Sequence, residues 1–350
     1  MKYLILTLML LTSGQLYAEI VKYPFESKAL ANSLIGTKTT RDIHIYLPDD
    51  YHTSKKRYPV LYFLGAYSWP IRYSSHIEKM LENHKRNGNA MEMIIVMLEG
   101  NTPLRGSFYV NSKVHGNFRD YVLDEVVPWV DATYRTKATA KHRGIAGFSM
   151  GGTGALRFAA KNPNIFSHVY ALSPGVFDEK GMAKSYLTSE AAISRYQKFK
   201  QKLATSTDPK TVMKEEFASF QAREIWNNGQ DNSYSAYLMA YAGAFAGTEQ
   251  HPFGTHFTQD ATQKPFWFRG FGELISLYTT PEIIEQLHSI HIEVGDKDDY
   301  IWITEGVLAL KQKAQQQALA ISFEVFPGGH SDKALSRLEH HMLPFFAKHL

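Results

Sequence analysis

No cysteine occurs among the 350 residues. Disulfides, thiolate metal sites and cysteine nucleophiles are therefore excluded, and the chain must rest on its own core. Long apolar runs are scarce too. The run at 3–11 is too short to cross a bilayer. It follows Lys2 and leads through Thr12-Ser13-Gly14-Gln15-Leu16-Tyr17 to Ala18, the order of a secretory leader with a small residue before the cut. Residues 1–18 are thus read as a signal peptide. Residues 19–350 are read as an exported protein, periplasmic or secreted, with no stable membrane insertion. Neither sign of charge dominates: 38 Lys+Arg face 34 Asp+Glu, a formal net charge of +4. The short run Lys55-Lys56-Arg57 reads as a solvated loop, and nothing argues for nucleic acid. Internal repeats and low-complexity tracts are also missing.

What is present is an alternation of apolar runs and amphipathic stretches. The runs at 58–64 and 91–98 are continuous, as strands buried on both faces should be. Residues 41–48 alternate and end in a Pro-Asp-Asp turn, while the chain before them reads as irregular. Helical patterns appear at 77–85, 118–133, 150–161, 303–318 and 333–349, and further strands at 167–172, 289–294 and 321–326. This rhythm predicts an α/β fold with a mostly parallel central sheet and helices on both faces. Residues 178–285 break it. They are helical and polar at 183–222, rich in alanine and aromatics at 233–246, and loop-like at 247–270. With no linker-like composition at either end, they read as a helical insertion, or cap, within one domain.

The most informative segment runs from His142 to Gly152. It reads as a short strand, then Gly147-Phe148-Ser149-Met150-Gly151, then a helix. A serine hydroxyl attacks well only when it is exposed, close to a base and clear of its own backbone. Gly-x-Ser-x-Gly between a strand and a helix meets that need: glycines let strand and helix approach around a strained serine, and the helix start offers free N–H groups to a developing oxyanion. Ser149 is therefore the candidate nucleophile.

An activated serine needs a base and an orienting acid, which follow in the order Ser, Asp or Glu, His in this kind of fold. Pro327-Gly328-Gly329-His330 follows the last strand, and Gly295-Asp296-Lys297-Asp298-Asp299 follows the one before. Both loops lie at carboxyl ends of strands, where open parallel sheets place their sites. His330 is the candidate base. Asp298, in a Gly-x-x-Asp turn, is the favoured acid, with Asp296 and Asp299 as alternatives. The first oxyanion donor is the Met150 N–H, and the second comes from Gly65-Ala66-Tyr67 after the strand at 58–64. No metal or other cofactor is expected. The aspartates at 296–299 lack a calcium loop's spacing, and the pairs His251/His256, His288/His291 and His340/His341 show no third ligand in sequence. Most of the aromatics should pack in the core or insertion, with some left to line an acyl or aryl pocket.

Several segments together resemble the putative-esterase family of α/β-hydrolases, which includes feruloyl and acetyl xylan esterases, siderophore esterases, formylglutathione hydrolase and the antigen 85 mycolyltransferases. They are Tyr46-Leu47-Pro48, Tyr58-Pro59-Val60-Leu61-Tyr62, Ser107-Phe108-Tyr109-Val110-Asn111-Ser112, Ala146-Gly147-Phe148-Ser149-Met150-Gly151-Gly152, Gly295-Asp296-Lys297-Asp298 and Pro327-Gly328-Gly329-His330. The resemblance covers 40–178 and 286–350. It implies the α/β-hydrolase fold, Ser149 as nucleophile, His330 as base, Asp298 as acid, and Tyr67 or Ala66 as second oxyanion donor. The chain departs from the family where the strand at 58–64 ends in Gly65-Ala66 rather than His-Gly or Asp-Gly. Phe108, Tyr109 and Trp267 are taken as substrate-binding candidates. The function expected is a serine carboxylic-ester hydrolase acting on a small-molecule, carbohydrate or lipid ester. Its rivals are an acyltransferase using the same site and a non-catalytic binding protein on the same fold.

Overall fold

In the computed structural model, residues 19–181, 185, 189–220, 230–254 and 265–350 are described, with backbone only at 19, 230–233 and 265–269. The expected signal peptide lies outside the described residues. Eight strands form one sheet: β1 (Glu19–Glu26), β2 (Thr40–Leu47), β3 (Val60–Leu64), β4 (Ile94–Leu98), β7 (Arg143–Phe148), β8 (His168–Leu172), β9 (Ser289–Gly295) and β10 (Ser322–Phe326). A two-strand hairpin, β5 (Asn111–Ser112) and β6 (Gly116–Asn117), stands apart. The order across the large sheet is β1-β2-β4-β3-β7-β8-β9-β10. β1 and β2 pair antiparallel, as do β2 and β4, and all later pairs are parallel.

Every residue of β3, β4, β7 and β8 is buried. That is why the sequence shows them as unbroken apolar runs rather than alternations. Helices between the strands cover both faces. α1 (Ser74–Arg86) joins β3 to β4, α2 (118–133) precedes β7, and α3 (Met150–Lys161) joins β7 to β8. Past the 178–285 segment, α8 (Ile301–Gln316) joins β9 to β10, and α9 (334–349) closes the chain. Side chains alternate across the strands. Leu61, Phe63, Ile95, Ala146 and Phe148 meet Ile77, Met80 and Leu81 of α1 and Leu338, Met342 and Phe346 of α9. Tyr62, Leu64, Val96, Ile145 and Val169 face the opposite core with α2, α3 and α8.

Two elements differ from the expectation. Residues 19–26, read as irregular, form the edge strand β1. Pro24 masks the pattern, but an edge strand tolerates proline on its open side. Residues 265–270, read as loop, begin helix α7 (Pro265–Leu277). Its glycines and aromatics are poor helix formers, and tertiary packing overrides that preference. Together with α4 (Glu190–Thr205), α5 (Pro209–Ala218) and α6 (Gln230–Tyr241), α7 makes the segment between β8 and β9 largely helical. This segment is docked on the nucleophile helix: the Arg157 guanidinium on α3 reaches both the Glu273 carboxylate and the Gly270 carbonyl of α7.

A second dock fixes the long loop after β4. His115 is fully enclosed, and its Nε2 lies 2.8 Å from the Ala240 carbonyl of α6. Burial pushes its pKa down to about 4. An unfolded histidine takes up its proton near 6.5, so between these values the unfolded state binds more protons and stability falls as pH is lowered. His115→Gln keeps a hydrogen-bonding side chain but removes the titration. Urea unfolding at pH 7 and pH 5 should show the wild type losing more stability than His115→Gln, by on the order of 2 kcal/mol. An equal loss in both proteins would show that His115 is not a source of acid sensitivity.

Candidate active site

Ser149 sits at the corner between β7 and α3, with φ 55° and ψ −116°. This is a left-handed, sparsely populated conformation for a residue with a side chain, and it persists only where the surroundings impose it. The surroundings are very close. A Cβ on Gly147 would lie 2.2 Å from the Gly151 carbonyl carbon, and one on Gly151 would lie 2.0 Å from the Leu64 carbonyl oxygen. Glycine at 151 is thus what lets the end of β3 press against the start of α3, and glycine at 147 lets β7 turn tightly into that helix. The Ser149 N–H donates to the Leu172 carbonyl of β8 at 2.9 Å, which pins the corner to the neighbouring strand.

The loops after β9 and β10 bring the other two candidates to this corner. His330 Nε2 lies 2.9 Å from Ser149 Oγ, and His330 Nδ1 lies 2.7 Å from Asp298 Oδ2. A carboxylate only accepts, so the Nδ1 proton is held toward Asp298 and Nε2 is left to accept the serine proton. The Asp298 side chain is wholly enclosed, and its other oxygen accepts from the Tyr300 N–H at 2.8 Å. The imidazole packs between Phe148 and Tyr300, with ring centroids 5.0 and 4.9 Å away. Asp296 plays a different part: its carboxylate accepts from the Gly328 N–H at 2.9 Å. Two backbone bonds, Lys297 N–H to Gly328 O and Asp296 N–H to Phe326 O, also tie the two loops together. A serine hydroxyl beside an oriented imidazole can act as a nucleophile with its base.

Met150 is the first residue of α3, where an N–H has no acceptor within the helix. In the loop after β3, Gly65 is excluded as a donor because its N–H is spent on Leu98 O at 2.9 Å. Ala66 and Tyr67 N–H have no acceptor among the described residues. The Gly65 carbonyl accepts from Tyr109 OH at 2.9 Å. Because a trans peptide points its C=O and N–H in opposite directions, this bond also fixes the aim of the Ala66 N–H.

The same bond corrects the expectation for Phe108 and Tyr109. Both are 0 % exposed and present no surface to a ligand. They occupy adjacent left-handed positions, φ 55° and 54°, and support the site from beneath. Phe108 stacks on Tyr67 and is ringed by Tyr237, Tyr241, Phe245 and Phe271. Of this group Tyr241 and Phe271 are also buried, whereas Tyr67, Tyr237 and Phe245 keep accessible surface. Trp267 is on α7, and its side chain lies outside the described residues. Tyr300 is a site neighbour that the sequence did not single out; only its position two residues past Asp298 signals it.

Two of the paired histidines, His291 and His341, have carboxylate neighbours that the sequence did not reveal, with His341 Nδ1 3.7 Å from Glu293 and 3.6 Å from Glu324. His291, Glu293 and Glu324 hold their ligand atoms within 4.8 Å of one another, while His256 lies outside the described residues. The positive charge there is already provided: Arg337 Nε lies 2.6 Å from Glu293 and its Nη2 lies 2.7 Å from Glu324. Burial alone would raise the Glu293 carboxyl, but hydrogen bonds from His291, Arg337 and Tyr170 outweigh it and hold it below its ordinary value. The cluster is an ionic clasp between β9, β10 and α9, centred on the buried Glu293.

The profile of the Esterase family, described as "Putative esterase", matches residues 36–269. The chain belongs to this family. Esterase Rv1288 of Mycobacterium tuberculosis is 36% identical over 122 residues, 34% of this chain and 26% of that protein. An endo-1,4-beta-xylanase/feruloyl esterase of Xylanibacter ruminicola is 28% identical over 151 residues, 41% of this chain and 20% of that protein. The matched stretch thus spans only about a quarter and a fifth of these relatives' own lengths. Among solved structures, a ferulic acid esterase superposes with a TM-score of 0.63 at 19% identity, covering 96% of this chain and 100% of its own. An S-formylglutathione hydrolase from Agrobacterium tumefaciens gives 0.57 at 15% identity, covering 95% and 96%. These structures share the α/β-hydrolase fold of this family member.

Tyr109→Phe isolates the support of the oxyanion loop, since it removes one hydroxyl from an enclosed ring. It should lower kcat for ester hydrolysis by roughly tenfold or more, with KM little changed, because loss of an aligned oxyanion donor costs about 10²–10³. A kcat equal to that of the wild type would show that the Gly65–Tyr67 loop is held without this bond.

Proposed function

We propose that the protein is a serine carboxylic-ester hydrolase. The observation that carries this reading is the continuous chain from Ser149 Oγ to His330 Nε2 at 2.9 Å and from His330 Nδ1 to Asp298 at 2.7 Å. Ser149 Oγ attacks the ester carbonyl carbon as Nε2 takes its proton. The carbonyl oxygen becomes an oxyanion held by the N–H groups of Met150 and of Ala66 or Tyr67. When the tetrahedral adduct collapses, the imidazolium gives its proton to the departing alcohol and the acyl group stays on Ser149. Water, deprotonated by the same Nε2, then attacks the acyl carbon, and as this second adduct collapses the imidazolium returns its proton to Ser149 Oγ and the acid leaves. Asp298 stabilises the imidazolium at both stages and holds the reactive tautomer. No step calls on a metal or an organic cofactor.

For the substrate we infer an ester of an aromatic acid. The reading is supported by the feruloyl esterase part of the Xylanibacter relative's name and by the aromatic cluster of Tyr67, Tyr237 and Phe245, only partly exposed, around Phe108 beside the oxyanion loop. Export is proposed on the leader-like sequence of residues 1–18. Among the described residues no helix is long and apolar enough to cross a membrane.

Kinetics on methyl ferulate and 4-nitrophenyl acetate test the proposal. Ser149→Ala should lose several orders of magnitude on both esters while keeping the wild-type unfolding midpoint. Asp298→Asn should lose up to about 10⁴ in kcat, because an amide there favours the wrong imidazole tautomer. Asp296→Asn should lose far less, since Asp296 only ties the loops. Residual wild-type rates in Ser149→Ala, or a larger loss in Asp296→Asn than in Asp298→Asn, would contradict the assignment.

A further inference from the structure

A pocket of about 610 Å³ opens at the carboxyl end of β4, away from the serine. Neither Ser149 nor His330 lines it. Its walls come from the chain before β2, from the loops after β3 and β4, and from helix α5 of the cap. β4 is two strands from β7 in the sheet, so the pocket stands about 10 Å from the nucleophile strand. Its floor is apolar: Ile35 and Phe217 are buried there, and Met213 lies half-buried beside them.

The rim is cationic. Lys38, Lys210 and Lys214 all line the opening and are exposed, and they form no ion pair among the described residues. Arg41 adds a fourth cation in the wall. Its charge is balanced by Glu99, 2.8 Å from Nη2, and the residue is 5 % exposed. Glu99 is engaged three times over, by Arg41, by the Ile71 N–H and by Asn101 Nδ2, so it does not neutralise the lysines.

An apolar floor of this size under three exposed lysines, none in an ion pair among the described residues, complements an amphipathic anion. We propose that this pocket is a binding site for an amphipathic organic anion, with its apolar body against Ile35, Met213 and Phe217 and its carboxylate or phosphate at the lysine rim. The site is separate from the reacting atoms, and its occupation does not depend on the esterase chemistry. Lys210 and Lys214 lie four residues apart on α5 and therefore stand on the same helix face, where both reach one anionic group.

Calorimetric titration of the full chain with decanoate tests this, with decyltrimethylammonium as the charge-inverted control. The wild type should bind decanoate at one site, more weakly as salt is raised, and should not bind the cation. Lys210→Gln/Lys214→Gln should weaken decanoate by roughly tenfold, the effect of losing about 1.4 kcal/mol of charge interaction. Met213→Trp, which narrows the apolar floor without touching charge, should weaken decanoate binding measurably. Both variants should hydrolyse 4-nitrophenyl acetate at the wild-type rate, which shows that they are folded. Undetectable decanoate binding, equal binding of the cation, or affinity unchanged by both variants would overturn the site. Because binding is read directly, a wild type that binds decanoate but hydrolyses no ester would contradict the esterase reading alone.

Discussion

The approach of β3 to the first turn of α3 is the constraint on which the rest of the site depends. With Gly151 only 2.0 Å, at its would-be Cβ, from the Leu64 carbonyl oxygen, the end of β3 and the nucleophile corner share one volume. That contact brings the start of the loop after β3 against the first turn of α3. It also forces Ser149 into its left-handed conformation, with the hydroxyl turned out toward His330. The strain in Ser149 is sustained by the neighbours: the Leu172 carbonyl takes its N–H, and a helix buried over nearly its whole length anchors the far side. Tyr109 then finishes the arrangement from below by holding the Gly65 carbonyl.

The other half of the site depends on charge. Asp298 and His330 ride on loops that leave β9 and β10, and these strands are clasped by Glu293, Glu324 and Arg337. A buried pair of this kind is costly to break from one side, because the remaining charge stays without a partner. The clasp is therefore a register device. It fixes α9 against both strands, and Asp296 then fixes the loops against each other through Gly328. The Ser149 corner is set by glycine and backbone, whereas the His330–Asp298 arm is set by ions and hydrogen bonds.

Much of this is legible in the chain. The unbroken runs at 58–64 and 91–98 announce strands covered on both faces, and Gly147-Phe148-Ser149-Met150-Gly151 announces the corner. Local patterns carry these features, so a linear reading finds them. Pro24 hides β1 because edge position, which makes proline tolerable, is a tertiary fact. Phe108 and Tyr109 look like substrate residues because sequence does not separate a ring that lines a site from one that props it up. Gly65-Ala66 leaves the second oxyanion donor open until the Leu98 bond removes Gly65. The ionic clasp joins Glu293 to Arg337 across 44 positions, a distance over which no local pattern speaks.

The central claim is that Ser149 is the nucleophile and is activated by His330. Mass-spectrometric mapping of the residue modified by a fluorophosphonate probe addresses it directly, since the probe reports a reactive serine whatever the natural ester is. The account predicts a single adduct, on the peptide carrying Ser149. An adduct on any other serine, or labelling of Ser149 that persists at the wild-type rate in His330→Ala, would contradict it.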